Sequence, residues 1–384
     1  MIDATLADNI FYICTSSTRM RQSIFTSSRT TKPGRHHSHG LMTMTLPPVS
    51  EVTLESKVAF LRQPTSFPDM AYRVEAIETH MSWVFLTDGY AYKLKKPVCH
   101  DLLDFGSIDA RRYYCEEEVR LNRRLAPDIY LGTVALTLDS PDHLQLGGRG
   151  VVIDWLVKMR RLPTRHMLDY AIQHGTTDEE DIRRVAARLD AFYRGCAPYP
   201  IDPAEYRSRF LRQIDSILQE LSLPAYQLPT AQVSGICLAQ RSVLQEMADL
   251  FDQRVRAGKI VEGHGDLRPE HICLEPPLAI IDCLEFSRDL RIIDAADETA
   301  FLALECERLG AADLGVFFLR NYSEISGDRP DPVLVHFYQS YRASLRATLA
   351  IRHLNEEQFR YSPQWPRRAK DYLQLAERHA GRCQ

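Results

Sequence analysis

Between His264 and Asp294 the chain reads HGDLRPEHICLEPPLAIIDCLEFSRDLRIID, and this stretch constrains the fold more tightly than any other. Two short apolar runs flank Glu275-Pro276-Pro277, a pattern that predicts a two-stranded hairpin turned at the prolines. Asp266 and Asp282 stand at its two outer ends, so closing the hairpin draws two carboxylates together. Phosphoryl transfer needs such a pair: one acid meets the acceptor hydroxyl while the other holds a divalent ion against the nucleotide phosphates. Asp266 and Asp282 are the candidates for those two roles.

The remainder of the chain narrows the alternatives. With 384 residues, 45% of them hydrophobic, it can bury a large core. Its net charge of -4, from 47 basic and 51 acidic residues, gives no field that would make nucleic acid or an anionic membrane a natural partner. The nine cysteines are scattered, odd in number and never spaced as CxxC, which fits reduced thiols in a cytoplasmic protein. Residues 1–48 are Ser/Thr-rich with excess arginine, and are expected to be a disordered or spurious N-terminal extension ahead of a start near Met42 or Met44. His36, His37 and His39 are read there as incidental.

From Val74 onward the pattern is extended. Two β-rich runs flank Asp88-Gly89, a turn dipeptide, and on the second run Ala91, Lys93 and Lys95 share one face while Tyr90, Tyr92 and Leu94 share the other. Ser107 then caps a helix expected to end near Pro127, on which Glu118 lies on the apolar face with Tyr114, Leu121 and Leu125. A carboxylate on such a face wants a cation, and Lys93 or Lys95 can supply it. Residues 129–159 give further strand-like runs, and beyond them the pattern is mainly helical. The expected organisation is a sheet-plus-helix lobe over 49–159 and a helical lobe over 160–384, with a catalytic loop at 264–271 and a metal-binding segment at 280–286.

The segments ETHMSWVFLTDGYAYKLKKPV, CEEEVRLNRRLAPDIYLG, HGDLRPEHICL, IIDCLEF and FYQSYRASLRA, in that order from Val74 to Ala347, resemble the aminoglycoside phosphotransferase-like family of bacterial small-molecule kinases. The resemblance implies an α+β, two-lobed, protein-kinase-like fold: a small antiparallel sheet with one helix on a larger, mainly helical lobe. It implies ATP (or GTP) with Mg2+ (or Mn2+), Asp266 as the catalytic aspartate and Asp282 as the metal-binding one. Lys93 would contact the phosphates, braced by Glu118, with Lys95 as the fallback, and Met159 would lie at the hinge beside adenine.

Two departures bear on activity. His271 stands where the family places a metal-binding asparagine, and imidazole suits softer ions than magnesium, or it simply hydrogen-bonds Asp266. No glycine-rich loop precedes the lysine strand, and Thr79, His80 and Ser82 occupy its place. The tripeptide Asp104-Phe105-Gly106 looks like a kinase metal motif but precedes the Glu118 helix, where it leads into a helix N-terminus. Glu285 is either a further metal ligand or a structural hydrogen-bond partner. Asp294 and Asp297 are expected to cap the next helix, and Arg291 either pairs with one of them or binds a substrate anion. Arg342 and Arg346, one helical turn apart beside Tyr338 and Tyr341, form either a cationic wall of the acceptor pocket or a solvated helix face. Three functions follow: a kinase acting on a hydroxyl of a small molecule, a nucleotide-binding pseudokinase or regulatory module, or a nucleotidyl (AMP) transferase.

Overall fold

The computed structural model describes residues 52–100, 103–140, 143–357 and 359–383. The expectations for residues 1–48 lie outside that range. The small lobe is built on a six-stranded antiparallel sheet: β1 (Glu75–Glu78), β2 (Ser82–Leu86), β3 (Tyr90–Lys95), β6 (Tyr130–Ser140), β7 (His143–Leu146) and β8 (Val151–Arg160). Their spatial order is β1-β2-β3-β8-β6-β7, and a minor ribbon pairs β4 (Cys99–His100) with β5 (Leu103–Asp104). The β2–β3 hairpin turns at Asp88-Gly89, with Leu86 opposite Ala91. Strand alternation then fixes the faces of β3 as the sequence predicts.

One helix was expected in this lobe, and two are present. α2 (Ile108–Asn122), capped by the Ser107 hydroxyl 3.0 Å from the Ala110 N–H, packs Cys115 and Val119 against Tyr130 and Val157. α1 (Leu54–Leu61) lays Val58 and Leu61 on Phe85, Tyr92, Leu94 and Leu156. The physical reason is that the Tyr92 and Leu94 face of β3 is itself apolar, and each such buried side chain contributes roughly 2 kcal/mol only if something covers it. α2 stops at Asn122, short of Pro127, and turns over Arg123 and Arg124.

The larger lobe comprises α3 (Leu168–Gln173), α4 (Glu179–Arg194), α5 (Pro203–Leu221), α6 (Thr230–Glu246), α7 (Ala248–Arg256), α8 (Ala295–Arg308), α9 (Ala312–Ser326), α10 (Pro332–Arg352) and α11 (Gln364–Ala380). α8 is its axis, buried from Ala295 to Cys306, and alanines at four of those positions let neighbouring helices approach closely. Asp294 caps it, its Oδ1 2.8 Å from the Ala296 N–H, whereas Asp297 serves another purpose described below. Among the described residues no helix is long and apolar enough to cross a membrane.

The His264–Asp294 stretch is held at both ends. β9 (Ile260–Glu262) pairs antiparallel with β12 (Ile292–Asp294), and between them β10 (Ile272–Cys273) pairs with β11 (Ala279–Ile280) to form the proline-turned hairpin. α2 grips this segment from the small lobe. Arg124 donates to the carbonyls of Glu262 and Gly263, both at 2.8 Å, and the Asn122 amide oxygen accepts the Cys283 N–H at 2.8 Å. Opposite, Arg160 at the end of β8 meets Glu275 in the hairpin turn at 2.9 Å.

Candidate active site

Both lysines of β3 reach Glu118. Lys93 Nζ is 3.0 Å from one carboxylate oxygen and Lys95 Nζ 2.6 Å from the other, so Glu118, fully buried, is satisfied at both oxygens. Their second partners separate them. Lys93 continues to Asp282 at 3.0 Å and keeps 16% side-chain exposure, whereas Lys95 continues to Glu285 and keeps 1%. Lys95 is thus an internal strut with its ammonium above the Phe105 ring, and Lys93 is the cation that keeps contact with solvent. Burial opposes charge on Lys93, but Asp282 and Glu118 outweigh it and hold the ammonium protonated far beyond its ordinary range. Likewise burial opposes ionisation of Asp282, yet Lys93 holds its carboxyl well below the usual range.

Asp282 adopts a left-handed backbone, φ 61°, a conformation that side chains other than Gly, Asn and Asp resist. Two groups fix it there: its N–H donates to the Tyr130 hydroxyl at 3.1 Å, and the next N–H, of Cys283, is the one held by Asn122. Arg291 secures the far side of this segment, donating to the Leu284 carbonyl at 2.6 Å and to Glu262 at 2.7 Å. It therefore pairs with neither Asp294 nor Asp297.

On the other side of the hairpin, His264 orients Asp266. A carbonyl can only accept, so the 2.8 Å contact with Ile281 O makes Nε2 the protonated nitrogen and leaves Nδ1 to receive the Asp266 N–H. Burial pushes the His264 imidazolium down to about 4, which keeps this tautomer neutral. Gly265, at φ 90°, donates its N–H to Glu298 of α8, and a side chain there would collide with Leu284. The Asp266 carboxylate, 3% exposed as a residue, receives Arg268 Nε at 2.9 Å, and Arg268 also donates to Glu270.

His271 lies between the two aspartates. Its Nδ1 is 2.8 Å from the Asp266 carbonyl, so that nitrogen is the donor; Nε2 lies 3.2 Å from Arg268 Nη2 and 3.6 Å from Asp282 Oδ2. Among the described residues no group of three or more His, Cys, Asp or Glu side chains is placed to hold a metal by protein ligands alone. A magnesium ion carried on nucleotide phosphates needs only one or two carboxylates from the protein, and the ionised, partly exposed Asp282 meets that requirement. His271 adds a ring nitrogen whose lone pair is shared with Arg268.

The turn that replaces a glycine-rich loop is tied in two directions. Within it, Thr79 Oγ1 accepts the Ser82 N–H at 3.0 Å; outward, His80 Nδ1 lies 3.2 Å from Glu356 of the helical lobe. Met159 pairs in register with Ala91 and Tyr130 and packs in the apolar cluster that includes Cys273 and Ala279, at the junction of the lobes. Asp104 accepts the Gly106 N–H at 2.8 Å and takes no part in the cleft.

The arginines of α10 fit neither alternative as a pair. Neither lies on a solvated face: Arg342 is 9% and Arg346 5% exposed. Arg342 is spent on a two-point contact with Asp297, at 2.7 and 2.8 Å, so it is no substrate ligand. Sequence reasoning missed Arg268, Tyr130 and Asn122. Only Arg268, two residues after Asp266, carries a local signal.

No protein-family model matches the chain. Uncharacterized proteins of Mycobacterium tuberculosis and Mycobacterium bovis are 34% identical to it over 321 residues, covering 80% of this chain and 59% of theirs. The chain thus spans about three-fifths of the length of these curated relatives. Among solved structures it is similar to a choline/ethanolamine kinase family protein from Mesorhizobium loti, with 15% identity, TM-score 0.47, and 85% of this chain and 98% of that one covered. A Plasmodium vivax ethanolamine kinase gives 9% identity and TM-score 0.45, covering 79% and 82%. A thermostable mutant of aminoglycoside phosphotransferase APH(4)-Ia, in complex with AMP-PNP and hygromycin B, gives 12% identity and TM-score 0.42, covering 83% and 98%. The architecture described above is α+β, a small antiparallel sheet lobe on a larger, mainly helical lobe.

Proposed function

We propose that the protein is a phosphotransferase that moves the γ-phosphoryl group of ATP to a hydroxyl of a small molecule. The observation that carries this reading is the polar chain Glu118–Lys93–Asp282, which crosses from one lobe to the other, with His271 next to it, 3.6 Å from the Asp282 carboxylate and hydrogen-bonded to the Asp266 carbonyl. In such a reaction the protein supplies position and charge. Lys93 offers an ammonium to the phosphates, Asp266 orients the acceptor hydroxyl and accepts its proton, and Arg268 keeps that carboxylate aimed. Asp282, with His271 beside it, would hold a divalent ion, which neutralises phosphate charge when bound.

One observation favours the silent, regulatory alternative: the second nitrogen of His271 already meets Arg268. Product analysis separates the readings. Full-length protein is incubated with ATP, Mg2+ or Mn2+ and a metabolite library, and the nucleotide products are identified by mass. ADP with a phosphorylated acceptor is expected; AMP with a nucleotidylated product means the third function, and nucleotide-dependent thermal stabilisation without turnover under either metal means the second.

A further inference from the structure

Buried arginines in this protein are matched to acids. Arg111 donates to Asp154, Arg254 to Asp294 and Asp328, Arg268 to Asp266 and Glu270, Arg291 to Glu262, Arg342 to Asp297, and Arg352 to Glu220. Arg346 breaks the pattern. Its one hydrogen bond among the described residues runs from Nε to the Tyr372 hydroxyl at 3.4 Å, and Nη1 is sealed from solvent with no partner. Glu305, beside Tyr372, is already committed: it accepts Tyr372 at one oxygen and Arg308 at the other. A desolvated guanidinium with no hydrogen-bonded carboxylate is costly, and Arg346 is one.

Its place in the lobe says what would complete it. Arg346 lies one turn along α10 from Arg342, which is anchored on α8, and α8 also presents Glu298 to the Gly265 N–H. The Asp266 carboxylate is close enough to act on the Arg346 charge, while being hydrogen-bonded to Arg268. We infer that Arg346 receives an anionic group of the acceptor, so that the substrate is a hydroxy acid or hydroxylated phosphate ester whose hydroxyl lies at Asp266 and whose carboxylate or phosphate lies at Arg346. The guanidinium favours that chemistry because its fork matches both anions at two points. A cationic amine acceptor would instead meet a like charge.

This inference rests on the phosphotransferase reading, and its test keeps the two apart. Thermal unfolding of the full chain is followed with glycerate against glycerol, galacturonate against galactose, and inorganic phosphate against chloride at matched ionic strength, in wild type and Arg346→Gln. ATP with Mg2+ is titrated in parallel. In wild type the acid of at least one pair binds roughly tenfold or more tightly than its neutral counterpart, the scale of one charge-assisted hydrogen bond, and Arg346→Gln erases that preference. Arg346→Lys, which keeps the charge and loses the fork, retains part of it. Equal responses within every pair, or a preference that survives Arg346→Gln, overturns the anion subsite. Loss of the ATP response alone overturns the nucleotide site instead.

Discussion

On the small-lobe side of the cleft the cations are lysines, each shared between two carboxylates; on the helical-lobe side they are arginines fixed at several points. Lys93 divides itself between Glu118 and Asp282, and its compact ammonium can exchange one partner for a phosphate oxygen without moving its strand. Arg268 meets Asp266, Glu270 and His271 at once, and Arg342 grips both oxygens of Asp297. The difference teaches which half is built to adapt. The lysine half suits a polyanionic ligand that comes and goes; the arginine half holds one carboxylate at a fixed angle.

Within the lysine half, Lys95 and Lys93 sharpen the contrast. Lys95→Met removes the buried ammonium on Glu285 and leaves Glu118 with Lys93 alone, and should cost about 3–5 kcal/mol of stability in urea unfolding. Lys93→Met, whose site is more open, should leave most of that stability and instead lower turnover roughly 10²- to 10³-fold. Reversed outcomes would exchange the roles of the two lysines.

A smaller effect tests the arginine half through the residue that orients Asp266. His264, with no exposed surface, has its pKa lowered from 6.5 to about 4, so between those values the unfolded chain takes up a proton that the folded chain refuses. Its contribution is therefore whole above about pH 6.5 and is lost progressively toward pH 4, amounting to about 3 kcal/mol. Melting curves of wild type should steepen in their pH dependence over that window, and those of His264→Asn, which retains a donor and an acceptor, should flatten. The smallest change is expected from His271→Asn: turnover with Mg2+ relative to Mn2+ should rise severalfold, since an oxygen ligand replaces an imidazole shared with Arg268. An unchanged ratio would remove His271 from metal selection.

What could be read in advance divides along physical lines. The Asp88-Gly89 turn, the Ser107 and Asp294 caps, the proline-turned hairpin and the faces of β3 are local, set by residues within a few positions of each other, and they stand in the structure as the sequence implies. Tyr130 and Asn122 were not legible, because each serves Asp282 or its neighbour across more than a hundred residues and has no local reason to be polar. α1 went unnoticed because its need arises only once Tyr92 and Leu94 of a different element lack cover. Arg342 and Arg346 share a helical face and a spacing, so only the far partner, Asp297 for one and no carboxylate for the other, distinguishes them.

The central claim, that the cleft is a phosphoryl-transfer centre aimed by Asp266, is tested most directly by Asp266→Asn. Turnover of ATP to ADP and phosphorylated acceptor is measured together with nucleotide-dependent thermal stabilisation. The account predicts turnover lowered roughly 10³-fold or more with the nucleotide response nearly intact, because an amide cannot accept the acceptor proton while Lys93 and Asp282 are untouched. Turnover equal to wild type would contradict it.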